Sequence, residues 1–167
     1  MPRPIGEFDL ELLLQAAKKA PDLRRAIALG AYAGFRVSEV AALDWADVDQ
    51  EARRVYIRGK GGKERSFGIS PVLLDKLLPD TGGNVVTAGG APYTGQALQR
   101  KVNRFIAAQG VGHTFHDLRK RGASLAIAKT GNIYAVAKAF GWSSIETASF
   151  YATVSDDTLD QIAAAMV

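Results

Sequence analysis

Apolar residues recur at helical spacing along most of this chain, and the pattern breaks once, in a stretch near residue 60. Residues 7–20 (EFDLELLLQAAKKA) carry the first strongly periodic run and predict a helix. Pro21 suits the first turn of a second helix running to about Ala33, and Gly34 suits its left-handed stop. Ser38 is placed to cap a short helix over 38–43, which leaves Arg36 in the corner between two helices. The break follows: 53–59 (RRVYIRG) and 64–70 (ERSFGIS) read as two strands joined by the turn GKGGK, with a third, weaker strand just before Arg53.

Helical spacing resumes at 71–78, and a polar, glycine-rich stretch from 79 to 92 reads as a loop with a short extended piece at NVVT. Thr94 opens a helix to about Gln109. Thr114, with Asp117 three residues on, forms an acidic variant of the capping box and opens a helix ending near Gly131. Residues 132–140 follow, stopped by Gly141. Ser143 and Glu146 form another capping box, opening a short helix on which Ile145, Ala148 and Tyr151 share a face. Ser155 caps a last helix, SDDTLDQIAAAMV, with two aspartates in its first turn. The predicted fold is mainly α with a small inserted antiparallel β-sheet, an α+β arrangement.

Composition narrows the setting. At 167 residues, 47% apolar and 23% charged, the chain is expected to be a single domain over 1–167. It has no run of membrane-spanning length and no secretory signal, so a soluble, cytoplasmic protein is expected. Zero cysteines exclude disulfides, thiolate metal sites and a cysteine nucleophile. The net charge is +4, and the basic residues cluster at 53–65 and 116–122 while acids gather at 44–51 and 155–160. Each cluster read alone is a solvated face; two separated basic clusters also suit a nucleic-acid backbone.

Several groups could carry chemistry. His116 and Arg119 lie on one helical face within the first turns, where free amides and the helix dipole favour an anion. Read alone, they are a surface pair first and an anion site second. Arg36 reads as a partner for Glu39 or for an anion, and Lys60 as a solvated hairpin tip or a mobile cation able to donate a proton. Tyr151 alone reads as a core aromatic, with a nucleophile as the alternative.

Their order carries more than any one of them. GFRVSEVAAL (34–43), GKGGKER (59–65), HDLR (116–119) and FGWSSIETASFY (140–151) occur in the sequence and in the elements that resemble the catalytic domain of the tyrosine recombinases, the phage integrase family. The resemblance covers nearly the whole chain. It implies that Arg36 and Arg119 clamp a scissile phosphate and that Lys60 is the general acid on the departing 5′ oxygen. His116 would contact the phosphate and transfer protons, Tyr151 would be the nucleophile, and Glu39 would hold Arg36.

Two positions depart from the family pattern. Trp142 stands where histidine is common, although some members carry tryptophan; its indole can donate a hydrogen bond but exchanges no proton at neutral pH. Lys120 follows the HxxR arginine where histidine is frequent. His113 has no matched role and reads as structural.

The resemblance further implies double-stranded DNA as partner, a 3′-phosphotyrosine intermediate, and no cofactor or metal. It implies a homo-oligomer, a tetramer on paired sites, assembled through the C-terminal tail in a bacterial or phage-infected cell. On that tail Leu159, Ile162, Ala163 and Met166 form an apolar stripe, expected against another protomer or against the chain's own domain. The family's usual N-terminal DNA-binding domain is absent from these residues. Two competing readings share the motifs: a type IB topoisomerase, which relaxes DNA as a monomer, and a non-catalytic DNA-binding module.

Overall fold

A computed structural model of the chain describes residues 4–58, 64–77, 82–142 and 156–166. Helix α1 (Glu7–Ala16) buries Leu10, Leu13 and Leu14 at the i, i+3, i+4 spacing that made it legible. It is shorter than the 7–20 expected from periodicity. Pro21 opens α2 (Pro21–Ala33) and disfavours helical backbone at Ala20, which sits at φ −125°, ψ 82°, so the chain breaks between the two helices.

Helix α2 runs through the middle of the molecule, burying Leu23, Ala26, Ile27, Ala28, Leu29, Ala31 and Ala33. It packs most extensively on α6 (Phe115–Thr130). Gly122 permits the close crossing, because a Cβ there would stand 3.2 Å from the Ala31 carbonyl oxygen. Gly34 ends α2 in the left-handed region, at φ 68°.

Helix α3 (Val37–Ala42) begins one residue earlier than expected. Its N-cap is Arg36, in extended backbone, and Ser38 lies inside the first turn with no capping role. There Ser38 packs against α5 (Gly95–Ala108), where a Cβ on Gly95 would come 3.2 Å from its Cα.

A 3₁₀ turn, Trp45–Asp47, leads into the sheet. Strands β1 (Val48–Asp49), β2 (Arg54–Arg58) and β3 (Glu64–Gly68) pair antiparallel in that order, with Tyr56 opposite Ser66. Thus the weak third strand is present, and Val55 and Ile57 face the core while Arg54, Tyr56 and Arg58 face outward. Helix α4 (Pro71–Leu77) follows.

The stretch expected to be loop is more ordered than its composition suggested. Val85 and Val86 are fully buried, Asn84 bridges Asp44, and β4 (Thr87–Ala88) pairs with β5 (Ala91–Pro92) around a glycine turn. Two adjacent valines supply enough apolar surface to draw this segment into the core, where Arg25 of α2 donates to the Val85 carbonyl at 3.2 Å.

Helix α5 starts at Thr94, whose hydroxyl accepts the Ala97 N–H at 3.1 Å. At the start of α6 the Asp117 carboxylate accepts the Thr114 N–H at 3.0 Å, and Gly131 ends the helix at φ 62°. Helix α7 (Ile133–Ala139) is capped by the Asn132 side chain. A tail helix, α8 (Asp156–Ala165), is present as expected. The expected helix over 143–151 lies outside the described residues, as does the Ser155 cap.

Most of the core is one cluster centred on α2. A smaller one joins α6 to α7 through Ala123, Ile127, Val136 and Phe140. Among the described residues no helix is long and apolar enough to cross a membrane.

Candidate active site

The end of α7 is where the expected site residues meet. A helix leaves its last carbonyls without intrahelical partners, and cations are favoured there. In this chain arginines from other elements supply them. Arg119, on the second turn of α6, donates from Nε to the Gly34 carbonyl and from a terminal nitrogen to the Phe140 carbonyl, both at 2.8 Å. Its guanidinium lies over the Phe140 ring, 5.6 Å from the centroid. Arg36, at the α2–α3 corner, donates to the Gly141 carbonyl at 3.1 Å and to Glu39 at 3.1 Å. Its side chain is 40% exposed, whereas Arg119 is buried.

Gly34 is required twice over for this meeting. Its φ of 68° belongs to the region that disfavours side chains, and a Cβ would fall 2.1 Å from the Phe140 ring. The chain therefore reverses at Gly34 with Phe140 pressed against it, and Arg36 and Arg119 arrive on either side.

Glu39 lies at the base of the cluster with a buried carboxylate. One oxygen accepts from Arg36; the other accepts from Arg65 at 2.5 Å. Arg65 also donates from Nε to the Ala139 carbonyl at 3.1 Å. Two guanidiniums thus share one carboxylate while a third, that of Arg119, is held by carbonyls alone among these contacts, so this seam is rich in positive charge.

His116 lies near Arg119 on the exposed side of α6. Its pKa is lowered below the ordinary histidine value, first by desolvation of the partly covered ring and then by the charges of Lys120 and Arg119, against a smaller opposing effect of Asp117. The neutral form of the imidazole is thereby favoured. Asp117 gathers its neighbours: besides the Thr114 N–H, it meets His113 Nδ1 at 3.3 Å and the Lys120 ammonium at 3.5 Å. His113 thus buttresses the helix start, and Lys120 faces the same carboxylate. Trp142 stacks on Phe140 at 5.1 Å between centroids in a tilted arrangement, and its backbone N–H closes the turn onto Ala137.

Of the seven residues singled out from the sequence, Arg36, Glu39, Arg119 and Trp142 come together around Phe140 and Gly141, with His116 beside Arg119. Lys60 and Tyr151 lie outside the described residues. Arg65 was not singled out, although it stands in the GKGGKER motif. The available signal was its register: Arg65 and Phe67 both point inward from β3, and an inward arginine needs buried partners.

The arrangement can bind an anion and stabilise negative charge developing on it. Comparison with known proteins agrees in fold. The phage integrase family model matches residues 4–158. Tyrosine recombinase XerC of Corynebacterium efficiens is 32% identical, covering 95% of this chain and 56% of that protein. XerC of Shewanella amazonensis is 27% identical over 77% of this chain and 48% of its own length. The chain thus spans about half the length of these relatives.

Among solved structures, the XerA recombinase superposes with a TM-score of 0.79 at 22% identity, covering 97% of this chain and 64% of that one. The XerH site-specific recombinase, in its pre-cleavage complex with difH substrate, gives 0.76 at 23% identity over 97% and 54% of the two chains. The chain belongs to the phage integrase family, and its fold is that of a tyrosine recombinase catalytic domain.

Proposed function

We propose that this chain is the catalytic part of a site-specific DNA recombinase that breaks and rejoins strands through a 3′-phosphotyrosine intermediate. The supporting observation is the convergence of Arg36 and Arg119 on the Phe140 and Gly141 carbonyls, directly ahead of Trp142 and of the segment that contains Tyr151. Two cations from separate elements are thereby tied to the chain that leads into the candidate nucleophile.

In this reading the scissile phosphate lies against Arg36 and Arg119, and Glu39 keeps the Arg36 fork oriented. Tyr151 attacks phosphorus as the phenolate, its proton having passed to solvent, the bond to the 5′ oxygen breaks, and Lys60 gives that oxygen a proton. A phenol has a pKa of about 10, so roughly one in a thousand is ionised at pH 7, and attack depends on cationic surroundings. The transferring group carries its charge on the phosphoryl oxygens, so arginine placement is the main catalytic device. His116, neutral and beside Arg119, exchanges a proton at the phosphate, and the Trp142 indole donates a hydrogen bond. Reversal by a 5′ hydroxyl from another strand joins the ends; one phosphodiester replaces another, so no cofactor is consumed.

Double-stranded DNA is the partner, and strand exchange needs paired protomers. The tail helix suits that role, because Ile162, Ala163 and Met166 are all exposed on this chain and remain available to a second copy.

The test is covalent capture. A pool of nicked duplexes of randomised sequence is incubated with the chain, and protein–DNA adducts are recovered after denaturation. Wild-type protein should yield adducts that map to Tyr151, while Tyr151→Phe yields none and retains duplex affinity. No adduct from wild type, or equal adduct from Tyr151→Phe, contradicts the proposal. Relaxation of supercoiled DNA by monomers without site preference would favour the topoisomerase reading.

A further inference from the structure

The geometry points to Arg65 as a positioning residue that locks the β2–β3 hairpin to the strand of chain entering the nucleophile segment; this rests on the function proposed above. Three consecutive carbonyls at the end of α7 each accept from a different arginine: Ala139 from Arg65 at 3.1 Å, Phe140 from Arg119 at 2.8 Å and Gly141 from Arg36 at 3.1 Å. The donors come from β3, α6 and the α3 N-cap, three elements with no shared backbone. Arg119 and Arg36 have assigned roles at the phosphate. Arg65 does not, yet it makes the contact that joins the other parts.

Arg65 holds Glu39 at 2.5 Å by the oxygen that Arg36 does not use, so the orientation of Arg36 depends on both. The side chains of Arg65 and Glu39 are only 15% and 9% exposed, which keeps solvent and salt from screening the pair. The Arg65 guanidinium lies over Phe67 at 5.2 Å, and a Cβ on Gly141 would come 3.0 Å from it. It is therefore wedged against the peptide that leads to Trp142. In sequence Arg65 stands five positions after Lys60, on the same hairpin. One planar fork thus fixes the phosphate-facing arginine, the hairpin of the general acid and the root of the nucleophile segment. Lysine, a single point donor on a flexible stem, cannot span a carboxylate and a carbonyl in this way.

The experiment uses the nicked duplex recovered by covalent capture with the wild-type chain. Single-turnover cleavage is measured at saturating duplex, beside duplex affinity and thermal unfolding, for Arg65→Gln, Arg65→Lys, Arg36→Ala and the double variant Arg36→Ala/Arg65→Gln. A misplacement of reacting groups by about 1 Å can cost about 10²-fold in rate, and a loss of that order is expected for Arg65→Gln and Arg65→Lys. Affinity should stay within about twofold, because the interaction is spent on orientation rather than on ground-state binding. Because part of the effect of Arg65 runs through Arg36, Arg65→Gln should cost clearly less in the Arg36→Ala background than in the wild-type one.

Wild-type cleavage by Arg65→Gln overturns the inference, as does a full multiplicative loss in the double variant or a loss that merely follows the unfolded fraction. If Arg65→Gln does not fold, Arg65→Lys, which keeps the charge but not the fork, is scored by the same outcomes. Failure of the wild-type chain to form any adduct would instead overturn the proposed function, so the two failures are distinct.

Discussion

Arg119 and Arg121 stand two residues apart on α6, and both are buried, at 9% and 8% exposure. Their surroundings differ completely. Arg121 faces the α1 side, where it donates to the Ala31 carbonyl at 3.3 Å, pairs with Glu7 and lies over the Tyr32 ring at 5.4 Å. One acid, one carbonyl and one aromatic face answer its charge. Arg119 faces the α7 side, where Arg36 and Arg65 join it on neighbouring carbonyls and share the Glu39 carboxylate between them. A buried arginine is thus no signature of a site. What marks the α7 seam is surplus positive charge fixed by carbonyls, which a phosphate can complete.

The largest expected effects fall on the seam. Arg119→Ala should lower cleavage by about 10²–10³-fold, the range seen when one donor to a developing oxyanion is lost. Lys60→Ala should lose ~10²–10⁴-fold, typical of general acid catalysis. A duplex with sulfur in place of the bridging 5′ oxygen separates the two. Its thiolate leaves without a proton, so Lys60→Ala should recover on it while Arg119→Ala stays slow. Recovery by Lys63→Ala instead would move the acid to Lys63.

Arg121→Ala should show the reverse profile, a loss of about 1–3 kcal/mol in stability from unpaired buried groups, with cleavage per folded molecule unchanged. Chemical denaturation beside single-turnover cleavage checks it. A cleavage defect in folded Arg121→Ala would erase the contrast between the two sides of α6.

Gly34→Ala bears on both. Its left-handed φ and the Phe140 ring 2.1 Å from the added Cβ should cost about 1–3 kcal/mol and displace the seam as well. Stability and cleavage should fall together, and a stable, fully active variant would contradict the role of that turn.

The smallest effect is at His116. By NMR titration its midpoint should lie below 6.5, and Lys120→Ala should raise it by removing a nearby positive charge. The neutral ring is the favoured folded form, so its contribution to stability is full above that pH and is lost as pH falls through the window below 6.5. A midpoint at or above 6.5 would show that the ring is not desolvated.

The sequence made one side of this contrast visible and hid the other. Helical periodicity gave α1, α2 and α5, because their leucine and alanine stripes face a single core. HxxR spacing distinguished Arg119 from its neighbours in RKR, since His116 three residues earlier shares its face. Nothing local distinguished Arg121, whose partners Ala31 and Glu7 are 90 and 114 positions away. Arg65 was hidden for the same reason, its partners being Glu39 and Ala139. The extended piece at NVVT was legible, but the full burial of Val85 and Val86 was not, because glycine and asparagine around them look like loop. The helix cap at Arg36 was misplaced at Ser38 because a capping side chain was assumed where an extended backbone suffices.

The central claim is that the α7 seam receives a phosphate charge. A neutral methylphosphonate at the scissile position tests it most directly, since it removes one of the charged oxygens that the arginines neutralise. Single-turnover cleavage of this substrate by Arg36→Ala and Arg119→Ala should rise toward that of wild type, while the same variants remain deficient on the ordinary phosphate. If neither variant gains on the neutral substrate, these arginines do not serve the phosphate, and the account of the site is wrong.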